Sequence, residues 1–157
     1  MSPADPTSAR SAWPVALQIL SRRGHSRGEL AAKLARRGIG QPDIEDVLDR
    51  CVQLGYLNDA DWAEGQVRQL SAKGHGTHYI HHVLRGKGID ETLIEAAMAA
   101  AGDQWEAEAA AKALNKKQPA LARESDPARR RAKAYRFLVQ RGFSAETITQ
   151  TLNLKQG

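Results

Sequence analysis

Leu34-Ala35-Arg36-Arg37-Gly38-Ile39 decides the fold, because its pattern returns twice: as Leu84-Arg85-Gly86-Lys87-Gly88-Ile89 and as Leu138-Val139-Gln140-Arg141-Gly142-Phe143. Each copy has the form of a helix end. The glycine sits just past the last helical residue, where a left-handed backbone is free of strain only without a side chain. The Ile or Phe after it falls where a Schellman motif folds an apolar group back onto the Leu four residues before the glycine. The cation preceding each glycine suits the negative end of the helix dipole.

Outward from the motif the register holds. Ile44, Val47 and Leu48 correspond to Ile94, Ala97 and Met98, and then to Ile148, Thr151 and Leu152. Upstream, Leu17, Leu20, Gly24 and Leu30 correspond to Val67, Leu70, Gly74 and Ile80. The glycines are 50 residues apart from Gly38 to Gly88 and 54 apart from Gly88 to Gly142. A period of this size marks repeated supersecondary units that bury their apolar faces by stacking. The resulting expectation is an all-α chain of nine helices in three triplets. A disordered N-terminal arm covers residues 1–10, and the repeats cover 11–55, 56–102 and 103–157.

Local signals place the helices. The first runs from about Ala12 to Arg23, with Trp13, Ala16, Leu17 and Leu20 inward at helical spacing. Ser26-Arg27-Gly28-Glu29 has the form of a capping box ahead of the second helix, which carries Leu30 and Leu34 inward. Pro42 and Asp43 open the third helix, whose buried stripe is Ile44, Val47, Leu48, Cys51 and Val52. In the second repeat Asn58-Asp59 caps a helix with Trp62, Ala63, Val67 and Leu70 inward, and Gly74 and Gly76 break it. Asp103-Gln104-Trp105-Glu106 repeats the capping spacing, a linker follows over 118–126, and Asp126-Pro127 starts a long basic helix. Trp13 and Trp62 occupy equivalent slots and Trp105 opens the third repeat, a pattern of core anchors more than of base-stacking platforms.

Of 157 residues, 41% are hydrophobic, a globular composition. No apolar run approaches the roughly 20 residues of a membrane span. A lone cysteine and the absence of a signal-like apolar start point to the reducing cytoplasm. Cys51 on the apolar stripe is a core residue and not a nucleophile.

The net charge of +5 is unevenly spread. Residues 43–64 hold seven acids against Arg50. Residues 65–89 hold Arg68, Lys73, Arg85 and Lys87 with no acid, together with four of the five histidines. Residues 116–141 hold nine cations against Glu124 and Asp126. Acid-poor stretches at corresponding places in successive repeats mark a surface for an acidic or polyanionic partner. The candidate contacts are Lys73, His78, His82, Arg85 and Lys87 in the second repeat, and Arg129, Arg130, Arg131, Lys133 and Arg136 in the third.

No phosphate loop, paired cysteine ligands or nucleophile–base spacing is present. His78 and His82 share a helix face, but two histidines without a carboxylate or thiolate nearby fall short of a zinc site, and polar contact on a basic surface is the better reading.

Several short motifs in one order resemble the RecX family. They are Leu57-Asn58-Asp59 with Trp62-Ala63, the Leu84, Lys87, Gly88, Ile89 pattern, and Ser26 with Glu29, Leu30, Lys33 and Leu34. The resemblance spans about residues 14–153. It implies tandem three-helix repeats in an elongated, curved array that is not an enzyme and needs no cofactor. It further implies binding in the groove of the RecA–DNA filament, with suppression of ATP hydrolysis, strand exchange and repressor-cleavage stimulation. Trp62 departs from the Phe or Tyr more usual there, and His81-His82-Val83 from more usual charged residues. A monomer that regulates RecA and binds DNA weakly is the leading reading. An autonomous nucleic-acid-binding protein, built on the resemblance of three-helix units to helix-turn-helix domains, is the alternative.

Overall fold

The computed structural model describes residues 6–154, and side chains from Ser11 to Leu154. Among them are nine helices and no strand. The first triplet is α1 (Pro6–Arg22), α2 (Arg27–Arg36) and α3 (Gln41–Gln53). The second is α4 (Asp59–Ala72), α5 (Thr77–Gly86) and α6 (Glu91–Ala100). The third is α7 (Trp105–Leu121), α8 (Pro127–Gln140) and α9 (Ala145–Leu154).

The three glycine motifs close their helices as the sequence predicts. Gly38, Gly88 and Gly142 lie at φ +83°, +82° and +86°. In each, the amide after the glycine reaches back to the Leu carbonyl: Ile39 to Leu34 at 3.2 Å, Ile89 to Leu84 at 3.1 Å and Phe143 to Leu138 at 3.2 Å. The glycine amides bond to Ala35, Arg85 and Val139, completing the Schellman pair. Leu34, Leu84 and Leu138 are wholly buried.

Each triplet closes around its own core. Leu30, Leu34, Ile44 and Leu48 centre the first, Val67, Ile80, Leu84 and Ile94 the second, and Leu114, Leu138, Ile148 and Leu152 the third. Three small cores in series, in place of one large one, are what a stacked repeat requires. Cys51 is fully buried in the first core, and burial pushes its thiol pKa up, as expected of an inert structural cysteine.

Several local expectations are corrected. Helix α1 begins at Pro6 and not near Ala12, so the arm expected to be disordered over 1–10 is helical from Pro6 on, while residues 1–5 lie outside the described residues. Leu17 and Val52 face outward at 37% and 48% exposure, because their helices bury narrower stripes than the apolar residues suggest. The linker expected over 118–126 is shorter: α7 runs through Pro119 to Leu121. Proline near a helix end forfeits one hydrogen bond, and burial of Leu121 in the third core offsets that loss. Gln104 makes no side-chain cap at α7. Ser26 caps Glu29 N–H at 3.0 Å as a capping box demands, but Glu29 turns away from the backbone to Arg23 and Lys87.

The tryptophans are half-buried, at edges and seams. Trp13 lies under Arg50 and beside Tyr56 at the edge of the first core. Trp62 packs on the second core and donates its indole N–H to Gly24 O at 3.3 Å. Trp105, from the third triplet, packs onto the second core.

Candidate interaction surface

The middle helices of the triplets meet end to end, and this arrangement sets the exposed surface. The N-terminus of α2 sits on the C-terminal turn after α5: Ser26 Oγ donates to Lys87 O at 2.7 Å. The N-terminus of α5 sits on the turn after α8: Gly76 N donates to Arg141 O at 2.9 Å and His78 N to Gly142 O at 2.8 Å. At the second joint N–H groups at the positive end of the α5 dipole meet carbonyls at the negative end of α8, and at the first the Ser26 hydroxyl bonds the corresponding carbonyl of Lys87. The two joints are equivalent, since Ser26 and Gly76 are separated by the same 50 residues as Gly38 and Gly88.

Contact at the joints is backbone on backbone. A Cβ on Gly28 would lie 2.8 Å from Lys87 O, and one on Gly76 would lie 2.5 Å from Phe143 Cα. Gly88 and Gly142 therefore serve twice, as left-handed caps and as seats for the next helix. Gly38, at the open end of the row, has nothing within 4 Å of a Cβ. Ile39 beside it is accordingly only half-buried, whereas Ile89 and Phe143 are buried.

A carboxylate from the next triplet fastens each joint at the first amide of the middle helix. Arg27 N donates to Asp59 Oδ1 at 2.8 Å, and Thr77 N to Glu106 Oε2 at 2.7 Å. Glu106 also accepts from Ser144 N at 3.3 Å, Ser144 Oγ at 2.6 Å and Thr147 Oγ1, so one buried carboxylate sits at the N-termini of both α5 and α9. Burial raises its pKa, but the hydrogen bonds from Ser144, Thr147 and Thr77 outweigh burial and hold it below the ordinary carboxylate value.

At the first joint Glu29, 7% exposed, pairs with Arg23 at 2.7 Å and Lys87 at 3.2 Å. Burial again opposes ionisation, and the bonds from Arg23 and Lys87 prevail, bringing its pKa to about 2. Arg27 bridges Glu45 at 2.9 Å and Asp49 at 2.8 Å, which consumes part of the acidic stretch internally.

The predicted contact residues divide on this frame. His78, His82 and Arg85 are exposed at i, i+4, i+7 spacing along α5. Arg129, Lys133 and Arg136 are exposed at the same spacing along α8. The pairings of Arg129 with Asp126 at 3.6 Å and of Lys133 with Glu124 at 2.9 Å are surface ion pairs, weak and easily exchanged. Arg130 and Arg131 turn inward: Arg130 holds the Glu124 carbonyl at 2.8 Å, and Arg131 holds Asn153 Oδ1 at 2.9 Å and Leu152 O at 3.4 Å. Lys87 belongs to the first joint. Lys73 is exposed at the second, in a cleft of about 410 Å³ with Lys112, Lys116 and Arg141 and no acid in its wall.

Two basic clusters are absent from the contacts predicted by sequence. One is Lys112 and Lys116 of that cleft. The other lies in the first triplet, where Arg22, Arg23, Arg27, Lys33, Arg36 and Arg37 stand against Glu29 within residues 22–37. A charge count over that window would have revealed it.

The histidines do not converge on a metal. No group of three or more His, Cys, Asp or Glu side chains comes together among the described residues. His81, contrary to the expectation of no carboxylate nearby, pairs with Glu91 at 2.7 Å, and His75 stacks on Tyr79 at 3.7 Å. No helix among the described residues is long and apolar enough to cross a membrane.

Comparison with known proteins agrees with this architecture. Family models described as the first, second and third three-helix domains of RecX match residues 12–51, 58–98 and 104–152. The protein named "Regulatory protein RecX" from Vibrio vulnificus is 38% identical over 138 residues, covering 88% of each chain. That of Deinococcus radiodurans is 37% identical over 133 residues, covering 85% of this chain and 62% of its own. The crystal structure of RecX from Lactobacillus salivarius superposes with a TM-score of 0.85 at 23% identity, covering 96% of this chain and 97% of that one.

Proposed function

The chain belongs to the RecX family of regulatory proteins, and from that premise we propose that it binds the RecA–DNA filament along its groove. There it inhibits ATP hydrolysis, strand exchange and repressor-cleavage stimulation, and so modulates DNA repair and the SOS response. In this reading it is a cytoplasmic monomer and a binding module, with no cofactor and no reaction of its own.

The supporting observation is the row α8–α5–α2, joined end to end. A row of three helices presents matching polar and basic stripes, His78, His82 and Arg85 on one helix and Arg129, Lys133 and Arg136 on another. A filament offers the same acidic or nucleic-acid surface again at each subunit. A ligand that touches two subunits makes its second contact at high effective concentration, which raises avidity without any new kind of contact.

Co-sedimentation tests the reading. The protein is expected to pellet with RecA filaments assembled on single-stranded DNA far more than with the same DNA alone. Equal retention on bare DNA would favour the autonomous nucleic-acid-binding alternative.

A further inference from the structure

A cleft of about 480 Å³ opens between the end of α1 and α2, and no residue of α5 or α8 lines it. Its wall holds Arg22, Arg23, His25, Lys33, Arg36 and Arg37 and no acid. Glu29 faces the joint side of Arg23 and is already shared with Lys87. Arg22, Arg36 and Arg37 are exposed, and Lys33, Arg36 and Arg37 fall at i, i+3, i+4 on one face of α2.

We propose that this cleft is a phosphate-binding site for the backbone of a nucleic-acid strand. The site is built as well as charged. His25 is 3% exposed; its Nδ1 lies 2.9 Å from Arg23 O and its Nε2 lies 2.7 Å from Lys33 Nζ. That pairing has one consistent proton arrangement: neutral imidazole, Nδ1–H donating to the carbonyl and Nε2 accepting from the ammonium. Burial lowers the His25 pKa, which keeps the ring neutral. The ring thereby anchors Lys33, which lines the cleft and keeps two further N–H groups to donate. Lys33 itself is held below its usual pKa, first by burial and then by Arg23, with Lys87 and Arg36 adding to it and Glu29 opposing. An anion among these cations relieves that repulsion.

The chemistry of the wall selects the ligand. Guanidinium groups fork onto phosphate oxygens, and several spaced cations suit a chain of phosphodiesters. The apolar residue in the wall is Ile19, and the wall offers no Phe, Tyr or Trp face for a base, so a free nucleotide gains little beyond its phosphates. The second triplet keeps Lys73, His75 and Lys87 at the positions of Arg23, His25 and Arg37, but Val83 and Gly86 stand where Lys33 and Arg36 stand, so the histidine there has no ammonium to anchor.

The test needs no recombinase, so its outcome is separate from that of the filament reading. Binding of a labelled oligo-dT strand to the full chain is followed by fluorescence anisotropy across a salt series, with adenosine triphosphate and inorganic phosphate as separate competitors. Arg36→Gln with Arg37→Gln, both exposed and able to leave the fold intact by circular dichroism, is expected to weaken the strand several-fold. It should also flatten the slope of log affinity against log salt by about 1.4, at about 0.7 for each phosphate no longer neutralised. Lys33→Gln should weaken it too, and amide NMR shifts on adding the strand should centre on residues 22–37. Unchanged affinity and slope in the folded double variant overturns the site. Triphosphate competing at concentrations where equal phosphate charge in the strand does not overturns the backbone assignment.

Discussion

Replacing Glu106 by Ala removes the carboxylate at which two helices begin. Glu106 accepts from Thr77 N–H, Ser144 N–H, Ser144 Oγ–H and Thr147 Oγ–H. The two hydroxyls can rotate to other acceptors, as Thr151 does toward Thr147 O. The two amides cannot. A buried amide left unpaired costs about 1–3 kcal/mol. Thr77 and Ser144 are half-buried, so water reaches part of each and the lower end applies, giving about 2–3 kcal/mol for the pair. At about 2–4 °C per kcal/mol for a chain of this size, the melting temperature should fall by roughly 5–10 °C. Glu106→Gln keeps the shape but turns an amino group toward donors, so it should recover only part of the loss. Hydrogen exchange at the Thr77 and Ser144 amides should accelerate in both variants, while exchange at Leu34, Val47 and Leu48 in the first core should not. A melting temperature within about 1 °C of the parent, with unchanged exchange at Thr77 and Ser144, would refute the role given to Glu106.

The joints and stripes can be probed separately. Gly88→Ala and Gly38→Ala share the strain of a side chain at positive φ, about 1–2 kcal/mol, but only at Gly88 does the new methyl meet backbone, Gly28 Cα at 3.2 Å; urea denaturation should show Gly88→Ala as the more costly, and equal losses would show that the joint is not tightly packed. Glu29 ionises in the folded chain with a pKa of about 2 against an ordinary 4.5, so its contribution to stability is complete above about pH 4.5 and is lost as pH falls toward 2; Glu29→Gln should flatten that part of the stability–pH curve, and an unchanged curve would count against the Arg23–Glu29–Lys87 cluster. Reversing Arg129, Lys133 and Arg136 to Glu should weaken filament retention in co-sedimentation while leaving the melting temperature nearly unchanged, whereas reversing Arg130 and Arg131 should lower the melting temperature, because those two hold Glu124 O and Asn153; full filament retention after the first reversal would remove the α8 stripe from the interface.

Much of the fold was legible because its signals are local. A glycine at positive φ, a Leu four residues before it and an apolar residue after it specify a helix end without reference to the rest of the chain, and three copies in register specify the stack. The joints were not legible. Gly28 looks like an inner position of a capping box and Gly76 like an ordinary turn residue until the turns after α5 and α8 are brought against them, and Glu106 looks like the fourth residue of a capping box until Thr77 and Ser144 arrive from distant sequence. The candidate surface was half legible for the same reason. Charge counting finds cations, but whether Arg131 faces a partner or the end of α9 depends on packing 22 residues away. In the first triplet Glu29 interrupts the run of cations, so no acid-free stretch stands out there, although those cations line a cleft.

The central claim is that this chain restrains the RecA filament, and the most direct test is the rate of RecA ATP hydrolysis on single-stranded DNA as folded protein is titrated in. A fall in rate is expected at well below one molecule per RecA subunit, because the proposed binding mode has each bound row touch more than one subunit. An unchanged rate at equimolar protein, with the fold verified by circular dichroism, would contradict it.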